Sequence, residues 1–307
     1  MAVIKFAPLN IPLERRLQTL AAAYYVFFFL IAPPLSIFIA VYLLLTSFWW
    51  ITALYFIWFV YDFRTPERGA RPLSFIRNGI NWRYLADYFP IKLVKTAELP
   101  PQHNYIFGSH PHGIMSIGAY TSFCTNGTGF WDAFPGLKTY LAALNGQFWF
   151  PFRRECLLTS GMIACSRSSI THVLNNSNGG VGVAIVLGGA EEALDAHSDC
   201  YDLLLMRRKG FIALALETGH VVFRRYAGFS PPIFCGRGMF NYTFGILPFR
   251  TPIHTVVGTP IAVEKKLNPT QEDVDRLHEV YREELRKLFD EHKQKFGIDK
   301  NVQLNFY

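Results

Sequence analysis

Residues 17–61 contain no Asp, Glu, Lys, Arg or His, and this run of 45 positions dominates the polarity pattern of the chain. Apolar stretches of about 18 residues or more predict insertion into a bilayer. The run is too long for the apolar core of a cleaved signal peptide, about 7–15 residues. Pro33-Pro34 divides it, because proline lacks an amide donor and disfavours helix in the residue before it. The pieces, residues 17–32 and 35–61, would reach roughly 24 and 40 Å as helices against a hydrocarbon core of about 30 Å. The first is marginal for a span; the second spans with tilt. Arg15 and Arg16 precede the run, and Arg64, Arg68, Arg71, Arg77 and Arg83 follow it. Positive flanks on both sides predict a helical hairpin that dips into the membrane and returns, with everything after it in the cytosol. One long kinked helix with a lumenal remainder is the alternative. The expected organisation is a cytosolic segment (1–16), a membrane hairpin (17–61) and one α/β domain (62–307).

Beyond the run, short apolar stretches end abruptly in glycine. Residues 105–107 lead into Gly108 and His110, residues 183–187 into Gly188-Gly189 and Glu191-Glu192, and His254–Val257 into Gly258. These predict buried strands that deliver polar residues at their C-terminal ends, where open α/β sheets place ligands. Residues 210–217 read as a short helix. Thr270 with Asp273 resembles a capping box. Val274, Leu277, Tyr281, Leu285, Leu288 and Phe296 then recur at helical spacing up to Gly297, and this last helix is assigned to packing.

Composition sharpens the picture. Half of the residues are hydrophobic and 17% are charged, against about 25% in soluble domains, so a disordered chain is excluded. The net charge of +7 suits an anionic membrane surface or substrate, but no basic patch with interleaved aromatics points to nucleic acid. The five cysteines, Cys124, Cys156, Cys165, Cys200 and Cys235, show no metal-finger spacing and read as reduced cytosolic thiols. Asn126, Asn175 and Asn241 open potential glycosylation sequons, unused in the cytosol.

The candidate chemistry centres on His110-Pro111-His112-Gly113. Proline restricts itself and its predecessor, so both histidines are expected on stiff, extended chain, and Gly113 lets backbone approach a ligand. Histidine is the usual general base near neutral pH. A metal site is the competing reading, but a third ligand at local spacing is missing. Glu191 and Glu192 could orient a histidine or simply begin a helix. Arg207-Arg208-Lys209-Gly210 could hold phosphates, or be a membrane-facing charge run. No Gly-x-Ser-x-Gly elbow or Walker lysine is present.

At HPHG the chain resembles the diacylglycerol acyltransferase type-2 family. The likeness includes Asp87-Tyr88-Phe89-Pro90 with Leu93-Val94-Lys95-Thr96, FGSHPHGIMSIGAY, GGAEEALDA, RRKGF, CGRGMF and PIHTVVG. The stretches FAPLNIPLERRLQTL, VKTAELPP, EEALDA and HKQKFGI are more similar to the 2-acylglycerol branch than to the diacylglycerol or wax-alcohol branches. The resemblance implies a mixed sheet with flanking helices. It also implies transfer of a fatty acyl group from acyl-CoA to 2-monoacylglycerol at the endoplasmic reticulum membrane, with no bound cofactor or metal. His110, Pro111, His112 and Gly113 match the family's catalytic quartet. His110 is expected as base and His112 or amides near Gly113 as oxyanion donors, with Arg207, Arg208 or Lys209 holding CoA. Related acyltransferases carry an Asp five positions after the histidine. Met115 and Ile117 stand there, so Glu191 or Glu192 is expected to substitute. The family strand ending in an FGEN-type motif is missing near 219–226, which predicts a gap in the sheet with unpaired backbone groups. Such a gap opens a further reading, an inactive membrane partner in a homo- or hetero-oligomer with related acyltransferases.

Overall fold

The computed structural model describes residues 5–8, 10–189, 191–192, 201–227 and 236–307; Cys200 and Cys235 lie outside them. The apolar run is helical as α1 (Leu13–Val26), a π turn (Phe27–Ile31) and α2 (Ala32–Leu44), without interruption. Together they make a 32-residue helix long and apolar enough to cross a membrane. The expected break at Pro33-Pro34 is corrected. Both prolines sit in the first turn of α2, and the π turn just before them widens the ladder beside their rings. Residues 45–48 end the helix instead, ahead of α3 (Trp49–Tyr61). Thr52 of α3 is buried against α2, its hydroxyl donating to the Ala40 carbonyl at 3.4 Å.

Packing draws no boundary at residue 17. Ala21, Ala22, Tyr25 and Val26 on the inner face of α1 join the core with Trp82 and Leu85 of α5 (Ile80–Tyr88), just after the single-turn α4 (Ser74–Arg77). The outer face leaves Leu13, Leu20, Tyr24, Phe27 and Ile31 exposed along one stripe. Phe38, Tyr42, Leu45, Ile57, Val60 and Tyr61 continue that apolar surface over α2 and α3.

A seven-stranded mixed sheet carries the site. Its strands are β1 (Lys92–Lys95), β2 (Tyr105–His110), β3 (Lys138–Ala143), β4 (Met162–Ala164), β5 (Val181–Val186), β7 (Val221–Ala227) and β8 (His254–Val257), in the order β1-β8-β7-β2-β5-β3-β4. All neighbours are parallel except β7 and β8. A small pair, β6 (Asp202–Leu203) and β9 (Asn305–Phe306), ties down the C-terminal end. The gap expected after His220 is not found among the described strands. Val221 pairs beside Tyr105, and β7 is bonded to β2 on one side and β8 on the other.

The pleat sorts β2 between two cores. Tyr105 and Phe107 point to the side of α1, α5 and α6 (Ile117–Phe123), where α7 (Phe130–Ala133) adds Phe130. Ile106 points to the opposite core, with Ile170 of α9 (Arg167–Asn175), Phe211 of α10 (Gly210–Thr218) and Tyr281 of α11 (Gln271–His292). The capping box at the start of α11 forms as predicted: the Thr270 hydroxyl accepts from the Asp273 amide, and the Asp273 carboxylate accepts from the Thr270 amide. The remaining helix, α8 (Arg153–Thr159), packs beside α2.

Candidate active site

β2 and β5 are adjacent and parallel, with Ser109 beside Val186, so their C-terminal ends bring HPHG and the Glu191-Glu192 pair together. The quartet does not run extended. The His110–Pro111 peptide is cis, and Gly113 turns the chain at a φ of +56°. The Tyr25 hydroxyl of α1 donates to the Met115 carbonyl at 2.7 Å, binding the apolar helix to this turn.

The two histidines face different surroundings. His110 is 1% exposed and does not line the cavity beside it. Its Nε2 is 2.9 Å from the Tyr281 hydroxyl, and its Nδ1 has no partner among the described residues. Burial pushes its pKa down to about 3, so the ring is neutral at physiological pH. The pleat explains the placement: Ile106, Gly108 and His110 share the face of β2 that meets α11. Gly108 is required there, since a Cβ would overlap the Tyr281 hydroxyl. The helix assigned to packing therefore also holds the first histidine.

A pH dependence follows. Between about pH 3 and 6.5 the unfolded chain protonates this histidine and the folded chain does not. The contribution of His110 to stability is full above 6.5 and falls as the pH drops through that window, by up to about 1.4 kcal/mol per unit. Thermal unfolding of the detergent-solubilised chain between pH 7.5 and 5 should show this slope, and His110→Gln should flatten it.

His112 is half-buried and lines the cavity. Its Nδ1 lies 2.6 Å from the Gly113 carbonyl, which can only accept, so Nδ1 carries the proton and Nε2 keeps its lone pair. Burial lowers the pKa of the ring against the opposing pull of that hydrogen bond, which favours the neutral, basic form. Nε2 meets no hydrogen-bonding group among the described residues.

The carboxylates act elsewhere than expected. Glu192 is buried, and its two oxygens accept from the backbone amides of His112 (2.5 Å) and Leu204 (2.9 Å). Burial raises its pKa against these two bonds. It grips the turn, not the imidazole. Glu191 is exposed and pairs with Arg207 at 2.9 Å and Arg208 at 3.6 Å. Neither carboxylate contacts a histidine ring: Glu192 meets the backbone amides of His112 and Leu204, Glu191 meets Arg207 and Arg208, and Nδ1 of His112 is held by the Gly113 carbonyl. The His112 amide is taken by Glu192, whereas the amides of Gly113, Ile114 and Met115 donate to no group among the described residues.

The cavity encloses about 980 Å³. Ile185, Leu187, Phe211 and Leu214 give it apolar walls, Tyr25 and Phe29 come from the apolar helix, and Arg167, Arg207 and Arg208 bring guanidinium groups. Gly210 lines it too. Lys209 does not: its ammonium bonds Asp275 of α11 at 2.7 Å, which removes it from the expected phosphate site. No group of three or more metal-ligating side chains occurs among the described residues. Sequence reasoning missed Tyr281, Arg153 and Tyr25. Only the Arg153-Arg154 pair, flanked by aromatic and aliphatic residues, carried a local signal.

Residues 41–226 and 220–307 match the family described as diacylglycerol acyltransferase. The 2-acylglycerol O-acyltransferase 1 of Bos taurus is 44% identical over 332 aligned positions, covering 99% of both chains. The human 2-acylglycerol O-acyltransferase 1 is 42% identical, covering 98% of each. Human diacylglycerol O-acyltransferase 2 is also 42% identical, over 85% of this chain and 75% of that one. The 332 aligned positions exceed the 307 residues of the chain, so the bovine relative carries residues without counterpart here. The two stretches of the family match overlap at residues 220–226, which are His220 and the first six residues of β7.

Proposed function

The chain belongs to the diacylglycerol acyltransferase family and is an acyltransferase; from that premise we propose that it moves a fatty acyl group from acyl-CoA to a hydroxyl of 2-monoacylglycerol. The observation that carries this reading is the position of His112, which alone of the two histidines lines a cavity shared by guanidinium groups and the apolar helix, with its Nδ1 engaged by the Gly113 carbonyl and its Nε2 left unprotonated. The role of base passes from His110 to His112. Nε2 of His112 takes the proton of the glycerol hydroxyl as its oxygen bonds to the thioester carbon. The oxyanion is met by amides among Gly113, Ile114 and Met115. The C–S bond then breaks, and the imidazolium returns its proton to the CoA sulfur. Arg207 and Arg208 hold the CoA phosphates, with Glu191 orienting them.

The exposed apolar surface of α2 and α3 supports membrane attachment. The first part of the 32-residue helix packs into the core, which leaves α2 and α3, 13 residues and about 20 Å each, for the membrane, short of a hydrocarbon core of about 30 Å. They form a hairpin that enters the endoplasmic reticulum membrane from the cytosolic side and returns, leaving the sheet in the cytosol. Diacylglycerol as acceptor is the second reading, favoured by the equal identity to human diacylglycerol O-acyltransferase 2.

Membranes from cells expressing the chain, given radiolabelled acyl-CoA with 2-monoacylglycerol, diacylglycerol or a long-chain alcohol, test the acceptor. Label should enter diacylglycerol. A main product of triacylglycerol or wax ester would move the chain to another branch. Absence of any product from a well-expressed chain would support an inactive partner. The carboxylates supply a second prediction. Glu192→Gln keeps only one of two accepting oxygens and lowers kcat about tenfold, the worth of roughly one charge-assisted hydrogen bond. Glu191→Gln leaves kcat within about twofold. Equal losses in both variants would restore a direct role for the pair.

A further inference from the structure

Arg153 opens α8 with 4% of its surface exposed, and it lines the cavity on the side of the apolar helix. Its neighbour Arg154 is neutralised by Asp62 and Glu155, whereas Arg153 makes no ion pair among the described residues. Its Nε donates to the Phe28 carbonyl at 3.1 Å and its Nη1 to the Gln147 carbonyl at 3.3 Å. The rings of Phe28 and Phe150 lie 5.0 and 5.7 Å from the guanidinium carbon. Two carbonyls satisfy two of five N–H donors, and Nη2 has no partner among the described residues without being sealed from solvent. A wall of a ligand cavity is where a ligand can complete such a shell.

We propose that Arg153 recognises the acceptor by donating to the ester carbonyl oxygen of the acylglycerol. This rests on the acylglycerol reading above and adds the residue that selects the acceptor. Location decides for the acceptor over the acyl donor. Arg207 and Arg208 stand at the start of α10, whereas Arg153 is bonded to the π turn whose Phe29 enters the cavity, the side from which a bilayer-dissolved lipid arrives. Chemistry favours an oxygen-rich group: a guanidinium fork donates to carbonyl oxygens and gains nothing from an alkyl chain.

The test uses the purified full-length chain in detergent micelles and two acceptors, 2-monoacylglycerol and the matching 2-alkyl ether, which keeps both hydroxyls and lacks the carbonyl. The unmodified chain should favour the ester about tenfold in kcat/KM, as expected for loss of one charge-assisted hydrogen bond. Arg153→Gln should raise KM for the ester about tenfold and bring the ester-to-ether ratio near one, with KM for acyl-CoA unchanged; Arg153→Lys should restore part of the preference. An unchanged ratio in Arg153→Gln, with both acceptors equally impaired, would overturn the proposal and leave the side chain a strut between α8 and the π turn. A phosphate-bearing lysolipid that competes better than the ester only when Arg153 is present would also overturn it, in favour of an anionic ligand. Displacement of a fluorescent 2-monoacylglycerol by ester or ether reads the same contact without turnover. Failure of transfer and failure of the Arg153 preference are thus separately visible.

Discussion

His112→Ala lowers kcat about 10³-fold at unchanged KM and unfolding midpoint. General-base catalysis contributes about 10²- to 10⁴-fold, and His112 is the histidine that lines the cavity, its Nδ1 bonded to the Gly113 carbonyl and the lone pair of Nε2 free. KM is spared because Nε2 exchanges its proton with the substrates during the chemical step. His110→Ala behaves differently. It removes a buried ring from beneath the turn together with its 2.9 Å contact to the Tyr281 hydroxyl, so its first effect is on stability. Initial rates with radiolabelled acyl-CoA, measured on matched monodisperse preparations together with thermal unfolding, separate the two. A His112→Ala variant that retains more than about a tenth of the rate would remove the ring from the mechanism.

Arg154→Ala destabilises the fold by about 3–5 kcal/mol, the usual cost of leaving a buried charge without its partner. Arg154 is fully buried at the foot of α3. One nitrogen lies 2.7 Å from the Asp62 carboxylate, another 2.5 Å from the Asp62 carbonyl, and the Phe59 ring lies 5.1 Å below. Asp62 keeps Thr65 and Arg71 in the variant, which places the loss toward the lower end of that range. Arg154→Met with Asp62→Asn should recover much of it, because no buried charge then goes unpaired. Chemical denaturation in detergent reads both. A loss under about 1 kcal/mol would mean that α3 is held to the domain by its apolar contacts alone.

Much of this architecture was legible in local patterns. Three apolar runs ending in glycine became β2, β5 and β8, and Thr270 with Asp273 marked the start of α11. The strand ends brought HPHG and Glu191-Glu192 together because β2 and β5 are parallel neighbours. What stayed hidden depended on direction and distance. Spacing alone does not say that His110 shares a pleat face with Gly108 and meets Tyr281, a residue 171 positions later. Two prolines read as a break because the run was judged by its own residues, whereas a π turn precedes them and they sit in the first turn of α2 without interrupting the helix. The lost family segment suggested a gap, yet the residues right after α10 run alongside β2 and pair with it. Arg153 and Arg154 are adjacent in sequence and opposite in circumstance, one at the cavity with no ion pair among the described residues and the other locked to Asp62.

The central claim is that acyl transfer passes through Nε2 of His112, and chemical modification tests it most directly. The full-length chain is treated with diethyl pyrocarbonate in steps, and each sample is divided between a transfer assay and mass-spectrometric mapping of every histidine. The account predicts that activity falls in proportion to carbethoxylation of His112, that acyl-CoA with 2-monoacylglycerol protects it, and that His110 stays unmodified while the chain is folded. Full activity with His112 carbethoxylated, or loss of activity that follows modification of His110 instead, would contradict it.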